Sequence, residues 1–253
     1  MDLGLKGLTA LITGGTKGIG RRCADLFAEE GANISICARN PAEVEQAVAA
    51  FKSKGVKAFG RALDVSASDA VADWVKASGE TLGSVDILVC NVSAIAVQDD
   101  RTSWQKAVDV DLMHTVSAVD AALPFLERSK SASITIISSV SGREVDFTAH
   151  AYGAVKAALV HYAQTLAHKL APKQIRVNAV SPGNVYFEGG VWQWVEQNNP
   201  ALFKQALALN PTGRMAKPEE VARGVVFIAS PASSFTMGTN LVIDGALTRG
   251  VQL

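Results

Sequence analysis

The chain has 253 residues, 48% of them hydrophobic and 19% charged, which is enough apolar material to bury a sizeable core and excludes a globally disordered chain. Its 24 basic and 24 acidic side chains cancel to a formal net charge of zero, leaving no basic footprint for nucleic acid. No apolar run approaches the ~18 residues of a membrane span, and Met1–Gly7 lacks a charged region followed by an apolar one, so no membrane partner and a cytoplasmic location are expected.

The first half alternates short apolar runs with longer amphipathic ones. Leu8 to Thr13 is a continuous apolar run ending in glycines, the pattern of a strand covered on both faces. A helix is predicted from Gly18 to Glu30, stopped by Gly31, then a strand at Asn33 to Ala38. Pro41 opens the next helix, which runs to about Lys54. Val56 to Leu63 reads as a strand, Ser68 to Thr81 as a helix, Val85 to Cys90 as a strand. One helix is expected from about Trp104 to Leu126, a strand at Ser133 to Ser138, a helix from Ala149 to Leu170 and a strand at Ile175 to Val180. A less regular insertion at 184–210 precedes a helix near Pro218 to Ala229 and a last strand near Asn240 to Ile243. Strands joined by helices of this length require right-handed crossovers and a parallel sheet with helices on both faces. No linker or internal repeat divides the pattern, so a single doubly wound α/β domain is expected.

Cys23, Cys37 and Cys90 form no CxxC pair and read as buried small hydrophobes in a reducing compartment. The four histidines show no HExxH spacing, and no metal site is expected.

The run Thr13-Gly14-Gly15-Thr16-Lys17-Gly18-Ile19-Gly20 falls where the first strand hands over to the first helix. Parallel sheets bind ligands beyond the carboxyl ends of their strands, and a helix N-terminus offers unpaired N–H groups to a phosphate. Glycines let the backbone turn tightly and approach a pyrophosphate without a Cβ in the way. The placement points to a dinucleotide.

Together with that turn, Asp64-Val65 after the third strand, Ser138-Ser139, Tyr152-Gly-Ala-Val-Lys156, Ile175 to Gly183, Gly213-Arg214 and Asp244-Gly245 resemble the short-chain dehydrogenase/reductase family, in its order and over nearly the whole chain. The resemblance implies a single-domain Rossmann fold with a seven-stranded parallel sheet. It also implies a cofactor held by Gly14, Thr16, Lys17, Gly18, Ile19, Gly20, Arg39, Asn40, Asp64, Val65, Asn91, Ser93, Tyr152, Lys156, Pro182, Gly183 and Val185. Relatives commonly assemble as homotetramers, which is the expectation by resemblance here.

An acid about 20 residues beyond the glycine turn holds the free ribose of NAD, whereas an arginine there suits the 2′-phosphate of NADP. That position is Arg39, with Lys17 as a second cation and no acid between Gly31 and Asn40. Two cations without an acid repel each other unless an anion lies between them, so NADP is expected.

Tyr152 and Lys156 lie four apart on a predicted helix and so share a face. Reducing a ketone needs a hydride and a proton. A tyrosine with the usual pKa of about 10 is a poor acid–base group at neutral pH. A lysine ammonium about 4 Å away supplies up to ~4 kcal/mol toward the phenolate at an effective dielectric of ~20. Tyr152 is thus the expected acid/base, Lys156 its tuner, and Ser139 a hydrogen-bond donor to the substrate oxygen. By resemblance, a small ketone or secondary alcohol is the substrate.

Three positions depart from the family. Asn91-Val92-Ser93-Ala94 carries Ala94 where glycine is usual. Asp111 takes the place of the family's fourth active-site residue, an asparagine; it loses the amide donors, and a charged Asp111 near Lys156 would compete with Tyr152 for the ammonium. The threonine that commonly follows Pro182-Gly183 is missing from Asn184-Val185-Tyr186-Phe187-Glu188, although the Val185 backbone could still meet the cofactor. Expected pocket walls are Ser93 to Ala96, Glu144 to His150, and the 184–210 insertion with Trp192, Trp194 and Phe203, which reads as a lid. His150 is expected on a different helix face from Tyr152. Two other functions remain open: a 3-oxoacyl-[acyl-carrier-protein] reductase, and a catalytically impaired nucleotide-binding sensor.

Overall fold

A computed structural model of the chain describes residues 1–146 and 149–251. Among them, strands β1 (Thr9–Thr13), β2 (Asn33–Ala38), β3 (Ala58–Ala62), β4 (Ile87–Cys90), β5 (Ser133–Ile137), β6 (Arg176–Pro182) and β7 (Asn240–Ile243) form one sheet in the order β3-β2-β1-β4-β5-β6-β7. All six pairings are parallel. This is the doubly wound Rossmann arrangement, whose order reverses between β1 and β4.

Helices α1 (Gly18–Glu29), α2 (Pro41–Ser53), α3 (Ser68–Leu82), α4 (Arg101–Lys106), α5 (His114–Leu126), α6 (Ala154–Leu170), α7 (Val191–Asn198), α8 (Pro200–Ala208) and α9 (Pro218–Ala229) connect the strands. The period of two in β1 divides the core. Ala10 and Ile12 pack with Phe27 of α1, Phe51 of α2 and Val225 of α9, while Leu11 packs on the other face with Trp74 of α3, Leu126 of α5 and Leu159 of α6. With both faces covered, the strand reads as a continuous apolar run. Trp74 is fully buried, and its indole N–H is satisfied by Ser35 Oγ at 3.0 Å.

Local chemistry fixes the element ends. Asn40 caps α2, its Oδ1 accepting from the N–H groups of Ala42 and Glu43 at 3.0 and 3.3 Å, and Pro41 takes the first helical position. Gly83 ends α3 at φ +93.

Three expectations are corrected. The helix expected from about Trp104 to Leu126 starts at Arg101 and is interrupted by a π-helical turn, Ala107–Met113, which leaves Asp111 1% exposed. The helix expected from Ala149 begins with a second π-helical turn, Ala149–Gly153, kinked at His150 (φ −40, ψ −126), and becomes α-helical only at Ala154. The insertion at 184–210 is more regular than expected. Asn199 caps α8 by accepting from Leu202 N–H at 3.2 Å, Pro200 takes its first helical position, and Trp192, Val195, Ala206 and Met215 form a small core of their own. Helices of eight and nine residues are too short to show a clear period.

Candidate functional site

The strand order reverses beside β1 and β4, and a cleft of about 780 Å³ opens there, beyond the carboxyl ends of β1 to β4. It is lined by Gly14, Thr16 and Lys17 after β1, by Arg39, Asn40 and Glu43 after β2, by Asp64 and Val65 after β3, and by Asn91 to Ala94 after β4. The topology brings together four loops that the sequence separates, as the switch-point rule requires.

The first loop is built to turn closely. Gly14 (φ +70) and Gly18 (φ +55) take the left-handed conformation, and a Cβ on Gly20 would stand 2.3 Å from the Gly14 carbonyl oxygen. Asn91 holds the loop: its side-chain amide donates to Thr13 O at 3.0 Å, and its N–H donates to Thr13 Oγ1 at 2.9 Å. At the start of α1, no side chain caps the helix and no acid sits in the first turn. The helix thus supplies no anion of its own to its first N–H groups, which is a condition that favours a bound phosphate.

Glu43 alters the charge argument. The sequence showed Lys17 and Arg39 with no acid between Gly31 and Asn40, but Glu43, in the first turn of α2, lies 2.8 Å from Lys17 Nζ. It also accepts from Thr16 Oγ1 at 3.3 Å and from Asn40 Nδ2 at 3.2 Å. The Lys17 hydrogen bond holds the Glu43 carboxyl below the usual glutamate range. Asp64 is likewise held low, first by the Ser66 N–H donated to Oδ1 at 2.9 Å and the Ser66 hydroxyl, and in smaller part by Arg39. The lining cations Lys17, Arg39 and Lys106 thus meet the acids Glu43, Asp64 and Asp109. Lys106, Asp109 and Val110 come from the α4 side, and no motif in the sequence marked them.

A second cluster lies at the ends of β5 and α6. Lys156 is 2% exposed; its Nζ donates to Ile137 O at 3.1 Å and stands 5.6 Å from the centre of the Tyr152 ring. The ammonium is also 3.1 Å from Asp111 Oδ1, while Asp111 Oδ2 accepts from Ala94 N–H at 2.8 Å. Tyr152 is half-buried in the π-helical turn before α6, so its proximity to Lys156 survives the broken helix. Ser138 Oγ donates to Lys156 O at 2.8 Å and ties β5 to α6. Ser139 Oγ donates to Ser141 Oγ at 3.3 Å, and Ser141 Oγ in turn donates to Asp146 Oδ2 at 2.6 Å. The Asp111 carbonyl accepts from Thr115 Oγ1 at 2.8 Å.

The remaining residues are placed as follows. Pro182 ends β6 and Gly183 and Val185 follow it, all three outside the lining of the cleft, and Val185 forms a β-bridge with Ala216. Gly18, Ile19 and Gly20 form the first turn of α1. The Phe187 ring, in the segment that lacks the family's threonine, lies on Gly18, 2.7 Å from where a Cβ would be. Trp192 is buried against Phe203, with ring centres 6.4 Å apart, whereas Trp194 is 61% exposed. His150 faces Asp99 at 3.4 Å. Of the expected walls, Phe147 and Thr148 lie outside the described residues. Burial pushes the Cys37 and Cys90 thiols up to about 12.

A dinucleotide fits this cleft. A Cβ on Gly14 would stand 3.0 Å from Val92 Cγ2, so the turn presents bare backbone at that point, and uncapped helix amides and two flanking cations suit phosphates. The residues that would hold it are those lining the cleft, one of which, Ala94, is joined through Asp111 to Lys156.

Comparison with known proteins agrees. A family profile described as enoyl-(acyl carrier protein) reductase matches residues 14–248. The chain is 40% identical to an isoepoxydon dehydrogenase of Penicillium expansum, over 100% of this chain and 99% of that one. Its fold superposes with a TM-score of 0.90 on L-sorbose reductase from Gluconobacter frateurii, solved with NADPH and L-sorbose, at 27% identity over 99% and 100% of the two chains. An NADPH-bound short chain oxidoreductase of Pseudomonas aeruginosa with an atypical catalytic center superposes with a TM-score of 0.86, at 29% identity over 96% and 98%. With the glycine turn, the sheet order and the Tyr152–Lys156 pair in place, the chain belongs to the short-chain dehydrogenase/reductase family of oxidoreductases acting on CH–OH and C=O groups.

Proposed function

We propose that this chain is an NADP(H)-dependent oxidoreductase that interconverts a ketone and a secondary alcohol, with Tyr152 as the acid/base. The observation that carries the reading is the buried Lys156 ammonium beside the Tyr152 ring, at the same sheet edge as the glycine turn. When bound, the nicotinamide supplies the hydride to the carbonyl carbon or takes it from the carbinol carbon. In the reducing direction Tyr152 gives its phenolic proton to the carbonyl oxygen, and Lys156 stabilises the phenolate that remains. Ser139 turns its hydroxyl from Ser141 to the same oxygen and stabilises the charge that develops there. In the oxidising direction the phenolate accepts the alcohol proton.

Arg39 and Lys17 support NADP, as do the NADPH-bound relatives. The segment 184–210, with its own small core and with Phe187 resting on Gly18, is read as a lid over the site, and the whole chain as one functional domain that assembles as a homotetramer. The isoepoxydon dehydrogenase relative makes isoepoxydon the first substrate to test. Following NADPH absorbance with isoepoxydon, L-sorbose, simple ketones and an acetoacetyl thioester tests the reading. Turnover with a ketone–alcohol pair supports it; turnover with the thioester alone favours the carrier-protein reductase, and none with any compound favours the sensor. The Lys156–Asp111 pair is the observation on the sensor's side, because it takes up part of the ammonium's charge.

A further inference from the structure

Glu43 occupies an unusual place for an acid. It sits in a cleft read above as the seat of a doubly charged 2′-phosphate, and it reaches both lips: Thr16 and Lys17 from the glycine loop, and Asn40 from the β2–α2 loop. Its position in the first turn of α2 places the carboxylate at the positive end of that helix, and the Asn40 cap fixes the turn itself. The charge is therefore well held. The other two acids of the cleft make their hydrogen bonds locally, Asp64 with Ser66 and Asp109 with Gln105 Nε2 at 2.8 Å, with Arg39 acting on Asp64 only at longer range, whereas Glu43 is in direct contact with a cation of the cleft.

We propose that Glu43 is the internal counter-anion of the nucleotide site: it holds Lys17 while the site is empty and yields it to a phosphorylated ribose, and so sets how strongly the cleft prefers phosphorylated over unphosphorylated dinucleotide. The inference rests on the NADP reading above and extends it to a residue outside the expected set. A phosphate dianion needs Lys17, and Lys17 at 2.8 Å from Glu43 has to leave one anion for the other. Lys17 is 61% exposed and Glu43 30%, so the exchange takes place in water and its scale is that of a surface ion pair. NADH carries no 2′-phosphate and asks nothing of Lys17 at that point. Glu43 thus opposes NADPH and leaves NADH almost untouched.

The test is calorimetric or fluorescence titration of the wild-type chain, Glu43→Gln, Lys17→Gln and the double variant with NADPH and with NADH. Glutamine keeps the hydrogen-bond acceptor for Thr16 and removes the charge. Glu43→Gln is expected to tighten NADPH about three- to fivefold while changing NADH by less than about twofold. In the Lys17→Gln background the gain is expected to vanish, because the lysine through which Glu43 acts is gone. Unchanged or weaker NADPH binding in Glu43→Gln overturns the inference, and so does an equal gain with and without Lys17. The wild-type ratio of NADPH to NADH affinity judges the cofactor reading separately, whatever Glu43→Gln does.

Discussion

Lys156 Nζ and Asp111 Oδ1 stand 3.1 Å apart with both side chains almost wholly withdrawn from solvent. The other carboxylate oxygen of Asp111 accepts the Ala94 N–H at 2.8 Å. Two of the chain's departures from its family, the aspartate for asparagine and the alanine for glycine, are therefore in direct contact. The site presents an amide N–H, which donates to Oδ2, and an ammonium, which Oδ1 faces as an ion pair without a hydrogen bond, and a carboxylate offers a negative oxygen to each. An asparagine has one carbonyl oxygen and turns its NH₂ toward the other donor. Asp111→Asn is accordingly expected to lower stability by about 1–3 kcal/mol, the cost of a buried donor without a partner. It also removes the carboxylate that pairs with Lys156, so more of the ammonium's attraction falls on the Tyr152 phenolate of the proposed mechanism, and kcat for alcohol oxidation at neutral pH is expected to rise severalfold. Melting curves and steady-state rates check both. An unchanged rate would mean that Asp111 has no electrostatic hold on Tyr152.

Tyr152→Phe keeps the ring beside Lys156 and removes only the hydroxyl. NADPH affinity is expected to stay within about twofold of wild type, while kcat falls by the factor of about 10²–10⁴ that positioned acid–base groups contribute. Ser139→Ala is expected to lower kcat about 10²–10³-fold, since it deletes one donor to the developing oxyanion. Turnover close to wild type in Tyr152→Phe would assign the proton to another group.

The cofactor assignment predicts that kcat/KM with NADPH exceeds that with NADH by at least about tenfold, or about 1.4 kcal/mol. Arg39→Asp reverses the charge at the lip of the cleft and should shift the preference toward NADH. Equal efficiencies in the wild-type enzyme would remove the basis for the assignment.

His114 links the cleft to the sheet and predicts an acid limit to stability. Thr13 Oγ1 accepts from the N–H groups of Asn91 and Val92 at 2.9 and 3.3 Å, so its own proton goes to His114 Nε2 at 3.3 Å. That leaves Nδ1–H to donate to the Val110 carbonyl, which makes the ring neutral. Burial pushes its pKa down to about 4 from the ordinary 6.5. Above pH 6.5 neither the folded nor the unfolded chain protonates it. Below that, the unfolded chain binds a proton that the native state refuses, so stability falls with pH by up to about 3 kcal/mol at pH 4. His114→Asn should flatten this dependence in denaturant titrations between pH 7 and 4. An unchanged slope would place the acid sensitivity elsewhere.

Much of this was readable because the signals are local. The run Thr9–Thr13, the proline at Pro41, and the bounds of β2, α9 and β7 depend on residues a few positions apart. The loops after β1 to β4 could be assigned to one cofactor through the family resemblance, since crossover handedness alone does not fix the strand order. What escaped was set by contacts between distant segments. Glu43 lies past the window in which an acid was sought, and its meeting with Lys17 depends on how α2 is seated. The π-helical turn at Ala107–Met113 has no sequence signature, since its residues suit an α-helix equally well. Lys106 at the end of α4 and Asp109 and Val110 in the π-helical turn line the cleft through tertiary placement that no local pattern announces.

Arg176, at the start of β6, carries the last prediction. Its guanidinium is 6% exposed, and Nη1 donates to the carbonyls of Ile228 and Ser233 at 2.6 and 3.1 Å, while Nη2 donates to Ala229 and Ser230 at 2.8 and 3.0 Å. Those of Ile228 and Ala229 belong to the last turn of α9, whose carbonyls the helix leaves without partners, and those of Ser230 and Ser233 also accept the N–H groups of Ser233 and Thr236 at 3.0 and 3.1 Å. The positive charge also sits at the negative end of the helix dipole. Burial lowers the arginine pKa, and the four carbonyl oxygens compensate for that desolvation. Arg176→Ala removes the side-chain donor from the Ile228 and Ala229 carbonyls, while those of Ser230 and Ser233 keep the N–H groups of Ser233 and Thr236, and is expected to cost about 2–3 kcal/mol. Arg176→Lys keeps the charge but offers its donors from a single nitrogen and cannot reproduce the fork, so it should recover only part of the loss. Since α9 packs against α1, loosening its end should also weaken NADPH binding through the glycine turn. Thermal melting with and without NADPH measures both effects. A midpoint for Arg176→Ala within about 2 °C of wild type would show that water serves these carbonyls as well as the arginine does.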